Sequence, residues 1–157
     1  MSPSGAQQHV VEIAATPLDC FTAIVDFASY PKWAGGIEEA TILERDADGV
    51  GRIVEYHLNM RIKTVRYVLE YAYHKPAELT WHAVDGDVES IEGAYNFRKL
   101  GQQRTEATCR QLVDLGFWIP GPLRALAEQA ALRQSVLEFK REVERRLAGK
   151  KRAKPGR

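Results

Sequence analysis

VGRIVEYHLNMRIKTVRYVLEYAYH, residues 50–74, alternates apolar and polar side chains twice over, with a break near Met60 and Arg61. Val54, Tyr56, Leu58 and Met60 share one parity; Val65, Tyr67, Leu69, Tyr71 and Tyr73 take it up again after the break. A period of two belongs to a β-strand with one buried face. Two long strands joined by a few residues make an antiparallel hairpin. The pattern continues downstream in LTWHAVD (79–85), VESIEGAYNFRKL (88–100) and RTEATCRQLVDLG (104–116), separated by DGD and GQQ turns. Upstream, QHVVEIA (8–14) and IEEATILERD (37–46) read as strands, and the second runs into DADG (46–49). Asp side chains there can bond their own backbone, and Gly tolerates positive φ. The expectation is a seven-stranded antiparallel meander.

Strand parity assigns two faces. The first also carries Leu79, Trp81, Ala83, Ile91, Gly93, Tyr95, Phe97, Ala107, Cys109, Gln111 and Val113. The second carries Glu55, His57, Arg66, Glu70, His82, Glu92, Arg98 and Arg110. One face is therefore wet and the other packs on a partner. That partner follows the strands. In IPGPLRALAEQAALRQSVLEFKREVERRLAG (119–149), Leu132, Val136, Phe139, Val143 and Leu147 recur at helical spacing. Pro122 stands near its first turn, and Gly149 is the expected stop. About 27 residues at 1.5 Å each give a rod of roughly 40 Å, enough to cross a sheet.

A helix about 10 Å wide cannot cover five long strands. A curved sheet wrapped around it leaves space between them. Five of the six tyrosines fall on the apolar face. A dry core favours Leu, Ile and Val, because each buried hydroxyl needs a partner. Tyrosines suit a cavity holding water or an amphipathic ligand. They also simply favour strands, and both readings stay open on the sequence.

Between the first two strands lies TPLDCFTAIVDFASYPKW (16–33). Thr16 fits an N-cap, Pro17 the first helical position and Asp19 the third, where its charge suits the helix dipole. The helix is expected to end before Tyr30-Pro31, since the residue before proline avoids the α region. Tyr30 and Trp33 either rim the cavity or seal this helix against the sheet.

The length suits one domain with a sizeable core. A net charge of +1 supplies no field toward nucleic acid. The segment GKKRAKPGR (149–157), with five basic residues and no acid, reads as a solvated tail beyond a single domain of residues 1–148. Together with Lys140, Arg141, Arg145 and Arg146 it also fits a protein contact, whereas i,i+4 pairing on a solvated helix face is the plainer alternative. Cys20 and Cys109 sit in apolar patterns outside any CxxC, as reduced thiols of a cytoplasmic protein would. No signal peptide and no membrane span is expected. His9, His57, His74 and His82 form no metal-ligand spacing, and no nucleophile-elbow, P-loop or dinucleotide motif is present. No metal and no cofactor is expected, and no catalytic residue can be named.

The order strand, short helix, long meander, long helix resembles the START-like helix-grip (SRPBCC) superfamily. Residues 13–51, with the Tyr-Pro-x-Trp corner, are similar to the opening of its polyketide cyclase/dehydrase and lipid-transport branch. GAYNFRKLG (93–101) and TEATCRQLVDLGFWIPGP (105–122) resemble the same branch. The resemblance implies an α+β helix-grip fold: a seven-stranded curved antiparallel sheet around the C-terminal helix. It implies a tunnel binding a lipid, isoprenoid or polyketide-like molecule as the partner, with no specific nucleic acid and at most transient membrane contact. Cavity-lining candidates are Trp33, Tyr56, Leu58, Tyr67, Leu69, Tyr71, Trp81, Tyr95, Phe97, Cys109, Gln111, Trp118, Leu132 and Val136. A polyketide aromatase/cyclase or dehydratase is the alternative. It would require polar groups in the cavity to orient a poly-ketone and stabilise an enolate, and a one-residue bulge would bring Arg66, Glu92 or Arg110 inward. A protein-interaction module, of the coenzyme Q-binding or ribosome-associated type, is a further one.

Overall fold

The computed structural model describes residues 6–114, 116 and 121–153. Seven strands follow one another as β1 (Gln7–Ile13), β2 (Ile37–Arg45), β3 (Gly51–Asn59), β4 (Thr64–His74), β5 (Glu78–Gly86), β6 (Ser90–Gly101) and β7 (Arg104–Asp114). They form one antiparallel sheet in the order β1-β7-β6-β5-β4-β3-β2. Hairpins make every neighbour pair except β1–β7, whose register runs from Gln7 opposite Gln111 to Ile13 opposite Thr105. The expected meander is thus closed on one side by the first strand of the chain. The sheet curves around α3 (Gly121–Ala153), the fold its alternation and final amphipathic segment imply.

Helix α1 (Pro17–Ile24) begins as the sequence indicates. The Thr16 side chain accepts from the Asp19 amide at 3.1 Å, and Asp19 Oδ2 accepts from the Thr16 amide at 3.1 Å. This reciprocal capping box satisfies two donors that an unfinished helix end leaves open. Helix α1 ends before Tyr30-Pro31, as expected, although Tyr30 itself takes up helical backbone angles. The chain makes a 3₁₀ turn at Phe27–Ser29, and Tyr30–Trp33 is itself a helical turn, α2. Pro31 sits in its first turn, where a missing N–H costs no intrahelical bond. Helix α3 runs past the expected stop: Gly149 lies inside it, where an added Cβ would meet nothing within 4 Å. At 33 residues it reaches about 50 Å.

The core joins the inner sheet face to α1 and the second half of α3. Val54, Leu79 and Ala107 meet Phe27, Val136, Phe139 and Val143, all at most 1 % exposed. Polar contacts pin that half of α3 to the N-terminal segment. Lys140 Nζ donates to the Glu12 carbonyl at 2.9 Å, and Glu144 Oε2 accepts from the Ala14 amide at 2.9 Å. Arg146 reaches Asp26 and Ser29, each at 2.9 Å, while Arg145 and Arg146 enclose the buried Glu142. Two of the four basic residues singled out on this helix, Lys140 and Arg146, are therefore tied to other elements, while Arg145 pairs with Glu142 of the same helix. The first half of α3 is held less closely, with Leu123 and Leu126 60 % and 69 % exposed.

The outer face carries a lattice of half-exposed ion pairs. Arg66 joins Glu55 at 2.7 Å and Asp85 at 3.3 Å, and His57 Nδ1 lies 2.9 Å from Glu39. Such pairs contribute little each. They keep Arg66 outside; Glu92 and Arg110 are exposed too, so none of the three turns inward. A bulge does interrupt β4–β5 between Val68 and Leu69, but it leaves Leu69 on the inner face. Among the described residues no helix is long and apolar enough to cross a membrane.

Candidate functional site

Two hollows lie between the sheet and α3. The inner one, about 150 Å³, is walled by Tyr56, Tyr67, Leu69, Tyr71, Leu79, Trp81, Tyr95, Cys109 and Gln111 from the sheet. Leu132, Ser135 and Phe139 close it from α3, and Ile24, Tyr30, Trp33, Ala34 and Ile37 from the N-terminal segment. Ser135 is exposed yet lines the space, so the hollow reaches the surface between α3 and the Trp33–Ala34 corner. The outer one, about 250 Å³, lies under the first half of α3, between Leu58, Met60 and Val113 on one side and Ala127 and Ala131 on the other. Gln111 and Leu132 border both. The helix stands off the sheet where the clamping contacts of its second half are missing.

The sequence-derived candidates divide accordingly. Trp33, Tyr56, Tyr67, Leu69, Tyr71, Trp81, Tyr95, Cys109, Gln111 and Leu132 line the inner hollow, and Leu58 the outer. Phe97 and Val136 do not: both are core residues, and the Phe97 ring lies 5.5 Å from Tyr95 and 6.0 Å from Phe139. Strand parity places Phe97 on the right face, but it cannot say how far along the strand the void extends. Trp118 lies outside the described residues. Ser135, Phe139 and Ile24 were not foreseen. Phe139 was legible as apolar helix spacing, whereas Ser135 carries no signal that separates it from an ordinary solvated position.

Tyr30 and Trp33 combine the two roles left open for them. The Tyr30 hydroxyl donates to the Ile24 carbonyl, which seals the end of α1. Its ring stands 4.9 Å from Trp33, and Trp33 lies 6.0 Å from Phe139 of α3. The corner is latched to α3 by the Gly35 amide, which donates to Glu138 Oε1 at 3.0 Å. Trp33 Nε1 is buried and meets no hydrogen-bond partner among the described residues.

The electrostatics are those of a neutral pocket. No carboxylate, imidazole, ammonium or guanidinium among the described residues lines the inner hollow. Burial pushes the hydroxyls of Tyr30, Tyr56, Tyr71 and Tyr95 well above the ordinary phenol range. Burial likewise pushes the Cys109 thiol up to about 12. A buried site of low dielectric disfavours the charged form of each. The hydroxyls of Tyr56 and Tyr71 meet at 2.6 Å. Among the described residues no group of His, Cys, Asp and Glu is assembled for a metal ion.

The profile of the polyketide cyclase/dehydrase and lipid-transport family matches residues 13–140. The chain belongs to that family. Solved structures share its fold. A START superfamily protein from Mycobacterium smegmatis is 20 % identical, with a TM-score of 0.82 over 89 % of this chain and 97 % of the other. The Zhui aromatase/cyclase from Streptomyces sp. R1128 is 19 % identical, with a TM-score of 0.74 over 90 % of this chain and 94 % of the other. The di-domain ARO/CYC StfQ from the steffimycin biosynthetic pathway is 18 % identical, with a TM-score of 0.71 over 90 % of this chain and 46 % of the other. No curated protein matches the sequence. The START-like helix-grip fold is thus established for this family member, and at these identities the solved neighbours speak to fold alone.

Proposed function

We propose that this protein binds a hydrophobic or amphipathic small molecule, of lipid, isoprenoid or polyketide-like character, between the sheet and α3. The supporting observation is the aromatic hollow of about 150 Å³ that reaches the surface at Ser135 and adjoins a second apolar hollow. An apolar cavity of about this size takes a single ring, so a larger ligand extends under the first half of α3. Binding is driven by removing apolar area from water, at about 25 cal/mol per Å² before ordering costs. Mass spectrometry of the organic-solvent extract of the purified protein should show a copurifying apolar compound. Titration with N-phenyl-1-naphthylamine should show saturable fluorescence that Ser135→Trp, an exposed substitution at the opening, weakens at least tenfold without lowering the melting temperature. Undiminished binding in Ser135→Trp would refute this location.

A second reading, an aromatase/cyclase, draws on the names of the Zhui and StfQ neighbours. In that reading the tyrosine hydroxyls and Gln111 would orient carbonyls. The inner hollow offers no group ready to move a proton at neutral pH, which favours the binding reading. Turnover of a poly-ketone thioester that is lost in Tyr67→Phe would reverse that preference.

A further inference from the structure

A third concavity, about 420 Å³, lies on the solvent side of the Trp33 corner. Trp33 and Ile37 wall both this cleft and the inner hollow, so the corner is a partition between two spaces. Their chemistry differs. The hollow is neutral, whereas the cleft takes Lys32 from α2 and Arg61 from the tip of the β3–β4 hairpin. On the outer sheet face Arg52, Arg66, Arg98 and Arg104 each join a glutamate. The side chains of Lys32 and Arg61 have no such partner among the described residues. The carboxylate in the cleft wall, Glu38, is exposed and accepts from the Asn59 side-chain amide at 3.4 Å. Arg61 is also placed at a backbone cost. Its φ is +71°, where glycine sits freely and a residue with a Cβ is strained. Its amide donates to Asn59 Oδ1 at 2.8 Å, which fixes the tip. A turn that only reverses the chain is met by glycine or asparagine at such a position; an arginine there keeps a guanidinium in the cleft wall despite the strain.

We infer that this cleft binds a phosphate monoester of a small hydroxylated compound, with the phosphate held by Lys32 and Arg61. A guanidinium offers a planar fork to two oxygens and an ammonium a mobile point charge, and a phosphate dianion has oxygens for both. Glu38 repels a second anionic group but accepts from a hydroxyl, and the apolar wall of Trp33 and Ile37 takes the carbon skeleton. The same phosphate monoester is presented by a free compound in solution or by the headgroup of phosphatidic acid. The site lies outside the hollow, so its failure would leave the binding reading above untouched.

The test titrates isotopically labelled protein with ribose 5-phosphate and with ribose, which differ in the phosphate. Ribose 5-phosphate should shift the amide resonances of Gly35, Gly36 and Ile37 saturably, with an affinity at least about tenfold above that of ribose. Added salt should weaken it, as for any contact between exposed charges. Lys32→Ala and Arg61→Gly should each lower the affinity at least about threefold. Arg61→Gly is the decisive variant: it removes the backbone strain, so the melting temperature should stay equal or rise while binding falls. Cosedimentation with phosphatidic acid vesicles, against pure phosphatidylcholine vesicles, separates the two sources. Binding of ribose 5-phosphate that both substitutions weaken assigns the cleft to a free compound. Binding to phosphatidic acid vesicles alone, weakened by both substitutions, assigns it to the headgroup. Equal affinity for ribose and ribose 5-phosphate, with no preference for phosphatidic acid, would overturn the inference. So would affinities indifferent to both substitutions, or shifts confined to residues away from the cleft.

Discussion

Gly93→Ala tests the hollow most directly. Gly93 pairs with Trp81 across β5 and β6, and the indole lies flat on the glycine. A Cβ at position 93 would stand 2.5 Å from Trp81 Nε1 and closer still to Cε2 and Cζ2. Carbon contacts settle at about 3.5–4.0 Å, so the ring must rise by roughly 1 Å or more. An aromatic side chain buries 150–250 Å², of which about 100 Å² is one face; a rise of about 1 Å therefore sweeps out roughly 100 Å³. That is most of the inner hollow, whose volume is about 150 Å³. Overpacking a filled core costs about 1–3 kcal/mol, and here the void accepts the ring. Gly93 has no positive φ, so alanine also restricts the unfolded chain favourably by about 0.4–1 kcal/mol. The expected net loss is at most about 1–2 kcal/mol, a few degrees in melting temperature for a chain of this size. N-phenyl-1-naphthylamine affinity should fall at least tenfold, with altered tryptophan emission showing that the ring has moved. A displaced indole with unchanged affinity would refute the reasoning, because the probe would then bind elsewhere.

Glu138→Ala removes the acceptor that latches the Trp33–Gly35 corner to α3; the Gly35 amide should exchange its hydrogen faster and bound probe should dissociate faster, with stability changed by less than about 1 kcal/mol. Gly86→Ala should cost at least about 2 kcal/mol in urea unfolding, because φ there is +119° and the added Cβ would stand 2.5 Å from Tyr67 Cα and meet the Arg66 carbonyl. Thr16→Ala breaks the capping box and should lower stability by about 1 kcal/mol. The hydrogen bond from Arg145, with a second from Arg146, holds the Glu142 carboxyl below the ordinary carboxylate range. A depressed folded-state value stabilises fully above the unfolded value near 4.3, and the contribution is lost as pH falls through the folded value. Glu142→Gln should therefore flatten the acid side of the stability–pH profile and leave its shape above about pH 5 unaltered.

Much of the site could be read in the strands. Alternation from Val54 to Gln111 assigned the buried face correctly at Tyr56, Leu69, Tyr71, Tyr95 and Cys109, because a pleated strand offers each side chain one of two directions. The same rule could not separate Tyr67, which lines the hollow, from Tyr73, whose hydroxyl turns away to the Gly51 carbonyl. Both share a face; they differ in what stands opposite. Ser135 was illegible for the same reason, and the proline rule placed the end of α1 before Tyr30-Pro31 without foreseeing that Pro31 also suits the first turn of the next helix.

Residue order alone determined the strands, the capping box of α1, the neutral character of the apolar face and the helix that faces it. Each of these depends on neighbours a few positions apart, where backbone geometry repeats. Folding in three dimensions decided that β1 closes the sheet beside β7, that Trp81 lies on Gly93, and that the first half of α3 stands away from the strands. An empty volume is what remains when surfaces from distant parts of the chain fail to meet, and no local period records that distance.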